Sequence, residues 1–272
     1  MAAAPRVALV TGASAGIGKA CASRLATAGW TVTGASRRGT GGSSLAGWTG
    51  LVMDVNDDAA VQAGVTSVIE RDGRIDALVA AAGWGIAGAA ELTSIAEAKA
   101  QLETNFWGCV RVVQAVLPQM REQRQGRIVL ISSIGGVIGI PFQAYYSASK
   151  FALEGFAEAL AYEVEPFGVQ VTLVQPGNIA TDFTASRQLA AASATDTAYA
   201  AAMTKAVSLM ERDEAHGAPA ESVAVTVQRV LEASRAPRRV SVGKAGERAG
   251  LIAKRLLPFR VFEAAAKGSL GV

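Results

Sequence analysis

The chain has 272 residues, 50% hydrophobic and 18% charged, a balance that belongs to folded globular proteins and excludes disordered and fibrous architectures. Its 29 glycines follow no G-X-Y period and only 8 prolines accompany them, so collagen-like and proline-rich readings fail as well. The net charge of +3 sits at one end, because residues 244–272 hold six basic side chains against two acidic ones; with 6% aromatic residues, no nucleic-acid partner is expected. The opening MAAAPRVALVTGAS lacks a basic segment followed by a long apolar core, so no signal peptide is read there. Cys21 and Cys109 lie in apolar, helix-like stretches without a CxxC, and His216 is the lone histidine. A zinc or disulfide framework is therefore not expected and no metal site is predicted. Two small buried thiols fit a reducing compartment, the cytoplasm.

In chain order, a short apolar strand at Val7–Val10 runs into Thr11-Gly12-Ala13-Ser14-Ala15-Gly16-Ile17-Gly18 and then an alanine-rich helical stretch through Ala28. Gly12 permits a tight turn, Gly16 lets the backbone approach a pyrophosphate, and Gly18 lets the helix pack closely on the strand. Ser14 and Ile17 fall in the same turn, whose helix N-terminus presents free N–H groups to an anion. An ordinary strand-to-helix turn is the alternative. A second strand at Thr31–Thr33 leads to Ser36, Arg37 and Arg38, and no Asp or Glu precedes Asp54. A diol-binding carboxylate is thus missing where NAD would need one, while the arginines suit a 2′-phosphate. NADP(H) is expected over NAD(H), with solvated loop arginines as the alternative. Asp54 and Val55 follow a third strand at Leu51–Met53; Asp54 could equally cap the next helix.

Further β-rich runs at Ala77–Val79, Ile128–Ile131, Val169–Val174 and Val240–Val242 alternate with segments of helical spacing. Strands buried on both faces with helical crossovers predict an α/β, doubly wound parallel sheet of Rossmann type, in one domain spanning residues 1–272. Ser94 and Glu97 form a capping-box pair, and an apolar stripe from Leu102 to Met120 serves either the core or a subunit interface. The uncharged run Ile128–Ser149 contains too much polarity for a membrane helix and reads as a strand followed by a site loop. Tyr146 and Lys150 stand one helical turn apart. A phenol of pKa near ~10 needs roughly 4 kcal/mol to ionise near neutrality. One ammonium about 4 Å away, at an effective dielectric near 20, supplies that much. Tyr145 has only Ser149 at the same spacing, and Ser132 cannot be separated from Ser133 by pattern alone.

Together, TGASAGIG, Ser133 thirteen residues before Tyr146, and Tyr146-Ser147-Ala148-Ser149-Lys150 resemble the short-chain dehydrogenase/reductase family over roughly residues 5–242. The resemblance implies hydride transfer between NADP(H) and a carbonyl or alcohol. Tyr146 becomes the general acid or base, Ser133 the partner of the substrate oxygen, and Lys150 the group that lowers the phenol pKa and binds the ribose. Asn105 would help hold a proton-relay water, although a polar helix residue is its plainer reading. Asp54 and Val55 would face the adenine, and the backbone of Ala81 and Gly83 the ribose. Pro176, Gly177, Ile179 and Thr181, in a PGxxxT-like turn, would face the nicotinamide. Ala80-Ala81-Ala82-Gly83 departs from the family's Asn-Asn-Ala-Gly, removing an amide that ties strands together.

Residues 178–217 read as a substrate lid. Phe183, Leu189, Tyr199, Met203, Leu209 and Met210, with the apolar residues of 134–142, are expected to line a pocket for a lipophilic ketone or alcohol, as in steroid- and retinoid-type members, with packing in the core as the alternative for most of them. The tail, 244–272, either packs on the body, touches a membrane surface or is disordered, and Pro258 breaks it. Helices at 95–120 and 147–164 imply a homodimer or homotetramer by resemblance. An NADP-responsive binding or scaffold protein without catalysis is the competing function.

Overall fold

The computed structural model describes residues 5–39, 47–194 and 197–270; residues 1–4, 40–46, 195–196 of the expected lid and 271–272 of the tail lie outside the described residues. Seven strands form one sheet: β1 (Val7–Thr11), β2 (Thr31–Ser36), β3 (Thr49–Val52), β4 (Ala77–Ala80), β5 (Gly126–Ile131), β6 (Val169–Pro176) and β7 (Arg239–Val242). Their order is β3-β2-β1-β4-β5-β6-β7 and every neighbouring pair is parallel. This is the expected doubly wound Rossmann-type domain.

The inner strands β1, β4, β5 and β6 read as largely apolar runs because both faces of the sheet are covered there. Leu9, Leu78, Ile128 and Leu130 point to one face, where they meet α2 (Asp58–Asp72), α4 (Gly108–Glu122) and α5 (Ala144–Val164) through Val65, Val113 and Leu153. Their neighbours Ala8, Val79 and Val129 point to the other, against α1 (Gly16–Thr27) and α8 (Ala220–Glu232) through Leu25 and Val227. Cys21 and Cys109 are free and buried in these two layers, and burial pushes both thiols up to about 12. Capping fixes the helix starts: Asp57 Oδ1 accepts from Ala60 N at 3.0 Å, and Ser94 with Glu97 closes a reciprocal box on α3 (Ile95–Leu102).

The apolar stripe from Leu102 to Met120 crosses a π-helical turn, Glu103–Trp107, between α3 and α4. Beyond it, Cys109, Val113, Val116 and Met120 all enter the core, so the stripe serves the core. A short helix, α6 (Phe183–Ser186), and a long one, α7 (Thr197–Ala215), follow β6, and near the end of the chain come α9 (Ala245–Leu256) and α10 (Phe259–Leu270), separated at Pro258. Among the described residues, no helix is long and apolar enough to cross a membrane.

Candidate active site

The strand order reverses between β1 and β4, and a cleft of about 1260 Å³ opens beside the carboxyl ends of these strands. Open α/β sheets hold their ligands in that crevice. At one end lies the glycine turn. Gly12 has φ +68°, and a Cβ there would stand 2.8 Å from both Ala81 O and Ala82 N. A Cβ on Gly18 would lie 2.3 Å from Gly12 O, so α1 packs on the turn backbone to backbone. No side chain caps α1 and no acidic residue occupies its first turn, which leaves its N-terminal donors for an anion. A Cβ on Gly16 would sit 3.4 Å from Thr181 Cβ, so the loop after β6 closes over the same turn.

Past β2, Arg38 Nη2 donates to Ser14 Oγ at 3.1 Å, holding one guanidinium above the turn. Ser36 is buried with no hydrogen-bond partner for its Oγ, and Arg37 is exposed beside it; all three line the cleft. A buried orphan hydroxyl and two cations lining one cleft fit the expected dinucleotide. Asp54 bonds its own turn, accepting from Asn56 N at 3.0 Å. Asp57 is the helix cap, which removes that alternative for Asp54. Val55 is buried behind it, packed where a Cβ on Gly108 would come within 2.7 Å of its Cγ2. The missing family amide has a substitute: Thr11 Oγ1 accepts from Ala81 N at 3.1 Å and Ala82 N at 3.2 Å, joining β1 to the end of β4.

At the other end the structure brings Ser133 and Tyr146 together. A Cβ on Gly135 would lie 3.2 Å from Tyr146 Cε1 and 3.3 Å from Ser133 Oγ, so both side chains converge on one spot. Ser132 Oγ faces Gly136 instead, and the Tyr145 hydroxyl turns away to donate to Ala90 O at 3.2 Å. Geometry thus separates the pairs that pattern could not. Ser133 Oγ accepts from Gly135 N at 3.0 Å, keeping its proton free for another acceptor. Lys150 Nζ donates to Ile131 O at 2.8 Å. Asn105 sits in the π turn, with Oδ1 accepting from Trp84 N at 3.0 Å and Nδ2 donating to Trp84 O at 3.0 Å and Ser149 Oγ at 3.2 Å. Turns of this kind recur at functional sites. Pro176 ends β6, Gly177 N donates to Val242 O at 2.7 Å, and Thr181 Oγ1 accepts from Phe183 N at 3.3 Å.

Two expectations need correction. Lys150 Nζ is 5.9 Å from the Tyr146 ring centroid, and burial, which the simple ion estimate left out, works against both charges. It drives the Tyr146 phenol above its usual range, opposed by the Ser133 hydroxyl, with Glu214 raising it further and Arg187 lowering it. It also pulls the Lys150 ammonium down to about 8, against smaller upward pulls from Cys109 and Glu154. The second correction concerns the apolar lining. Of the six lid residues expected in the pocket, only Phe183 borders the cleft; Met203 and Met210 pack instead with Phe142 and Val207, Leu189 is exposed, and Tyr199 OH donates to Glu91 Oε2 at 2.6 Å. Ile134 and Ile140 do line it, but so do Gln143, Ser186, Gln188 and Glu214. The substrate end is mixed in polarity.

Sequence reasoning missed Thr11, Gln143, Ser149 and the buried Arg187–Glu214 ion pair. Gln143, three residues before Tyr146, had a signal in its spacing; the pair, 27 residues apart, had none. Helix α9 of the tail also packs beside the site. Glu247 Oε1 accepts from Asn178 N at 3.2 Å and its Oε2 from Lys244 N at 2.9 Å, while Lys254 Nζ donates to Val137 O. Thus α9 braces the turn after β6 and the loop before α5.

This arrangement defines an oxidoreductase built on a nicotinamide-binding Rossmann fold. The short chain dehydrogenase family model matches residues 6–192, and the chain belongs to that family. It is 41% identical over 239 residues to a 3-ketodihydrosphingosine reductase from Bacteroides thetaiotaomicron, with 88% of each chain covered. It is 41% identical over 196 residues to human retinol dehydrogenase 8, covering 67% of this chain and 62% of that one. Among solved structures, a short-chain dehydrogenase from Streptomyces avermitilis superposes with a TM-score of 0.84 at 31% identity, covering 98% of this chain and 99% of that one.

Proposed function

We propose that this protein is an NADPH-dependent reductase of a lipophilic ketone, with a keto sphingoid base as the leading substrate class. The observation that carries the reading is the convergence of Ser133 and Tyr146 on one spot at the end of a cleft that begins at the glycine turn. The similarity to a 3-ketodihydrosphingosine reductase across 88% of both chains supports the substrate class. Ser36, Arg37 and Arg38, with no carboxylate beside them, favour the 2′-phosphate of NADP(H) over the diol of NAD(H).

The glycine turn, Asp54, Val55, Ala81, Gly83 and the 176–181 turn would hold the cofactor, which supplies the hydride when bound. The protein's own groups handle the proton. Ser133 Oγ donates to the substrate carbonyl oxygen, and Tyr146 transfers its phenolic proton to that atom as negative charge develops there. The phenol, held above its usual range by burial, carries its proton at neutral pH, which suits reduction. Lys150, anchored on Ile131 O, adds positive charge and ribose contacts, and Asn105, braced by Trp84 and Ser149, serves the relay water.

In this reading residues 178–217 cover the substrate, the protein works in the cytoplasm, and it assembles as a homodimer or homotetramer. Exposed Ile95, Trp107 and Tyr162 support assembly along α3 to α5; a monomeric mass by light scattering would exclude it. Exposed Leu256, Phe259 and Val261 beside Arg255 and Arg260 support weak contact of the tail with a membrane surface. Equal sedimentation with anionic liposomes with and without residues 245–272 would rule that out.

The deciding experiment follows NADPH and NADH oxidation with a keto sphingoid base, ketosteroids, retinal and small ketones. Turnover with NADPH that Tyr146→Phe abolishes, at nearly unchanged NADPH affinity, is the expected result. NADPH binding without reduction of any carbonyl would instead leave a nucleotide-responsive scaffold.

A further inference from the structure

Gln143 is 3% exposed and its Nε2 has no hydrogen-bond partner, yet the side chain borders the cleft beside Ile140 and Tyr146. A buried amide donor left unpaired costs about 1–3 kcal/mol, and folded proteins seldom tolerate one without a use for it. The simplest local use is absent: Gln143 stands at the N-cap of α5 and makes no side-chain cap there. Its backbone is also held by an unusual device. Phe142, just before it, has φ +57°, a left-handed conformation that a bulky residue rarely adopts. Two contacts fasten that kink. Phe142 O accepts from Gly88 N at 2.8 Å, and its ring packs on the cluster of Ala87, Met203 and Val207. Conformations of this kind persist where the surroundings over-determine them and gather at ligand sites.

We propose that Gln143 is a specificity-determining residue whose amide donates a hydrogen bond to a hydroxyl of the substrate, one or two carbons from the carbonyl held by Ser133 and Tyr146. The inference rests on the ketone-reductase reading and narrows its substrate to hydroxy ketones. Gln143 and Tyr146 stand three residues apart where α5 begins, and both border the same cleft. A group bonded one or two carbons from the reacting carbonyl spans that separation. The wall around it is polar as well: Glu214 borders the same cleft, and its charge is balanced by the buried Arg187. An unsubstituted ketone would leave the amide buried and unpaired, whereas a hydroxyl oxygen would accept from it. Sites that hydrogen-bond a substrate hydroxyl reject the analogue that lacks it.

The test compares a long-chain β-hydroxy ketone with the plain ketone of equal length, in the full-length protein and in Gln143→Leu. The native protein should favour the hydroxy ketone by at least about tenfold in kcat/KM. The Leu variant should lose that preference. Gln143→Met, similar in length, replaces it if the Leu variant does not fold. Titration calorimetry of both ketones provides a readout independent of turnover. A preference for the hydroxy ketone in binding, lost in the variant but without reduction of either compound, would refute the reductase reading and uphold the subsite. Equal affinities in the native protein, or a preference that survives in Gln143→Leu, would overturn the proposal.

Discussion

Replacing Thr11 by Val removes a hydroxyl and nothing else of consequence, since the two side chains have nearly the same shape. Thr11 is 2% exposed, and its Oγ1 receives the backbone N–H groups of both Ala81 and Ala82. No side-chain amide is available at residues 80–82 to share this task, because all three are alanines. Each lost hydrogen bond is worth about 1 kcal/mol net, so the expected cost is about 2 kcal/mol. For a domain of this size that corresponds to a fall in Tm of about 4–8 °C. The site should respond too, because the same backbone lies 2.8 Å from the position of a Cβ on Gly12. A looser end of β4 should therefore weaken NADPH binding. Differential scanning calorimetry and fluorescence titration of NADPH measure the two effects, with Thr11→Ser as the control that keeps the hydroxyl and should restore both. A Thr11→Val protein that melts within about 1 °C of the native one would refute the claim that this hydroxyl replaces the missing amide.

The kcat/KM profile for ketone reduction should lose activity as pH rises past about 8, because burial holds the Lys150 ammonium near that value and deprotonation removes its positive charge. Tyr146 is displaced upward, so its proton remains in place through this range, and a profile that stays flat to well above the lysine break would contradict the assignment. Replacing Arg37 and Arg38 together by Ala should raise the KM for NADPH about 10- to 100-fold with little change for NADH, the loss of charge-assisted hydrogen bonds to one phosphate. An unchanged ratio of the two KM values would remove the phosphate argument.

The pattern of the chain was enough for the seven parallel strands and their helical crossovers, because the inner strands, buried on both faces, need a largely apolar run and leave it visible. The glycine turn was equally legible. At Gly12 and Gly18 the neighbouring backbone leaves no room for a Cβ, and that requirement acts on residue type directly. Tyr146 and Lys150 could be paired because one turn of helix places them on one face.

Tertiary structure decided what depends on neighbours distant in the chain. It set the Ser133 hydroxyl beside Tyr146 while that of Ser132 faces Gly136, and turned Tyr145 toward Ala90. It broke the helix around Asn105 and put Thr11 in the place of an absent amide. It also reversed the electrostatic expectation for Tyr146, since local spacing reports a nearby ammonium but not the water that folding removes from both groups. The mixed lining of the substrate end has the same origin. Hydrophobic composition says that Met203 and Met210 will be buried, whereas only the packing of α7 determines that they bury themselves away from the cleft and leave Gln143 and Glu214 beside it.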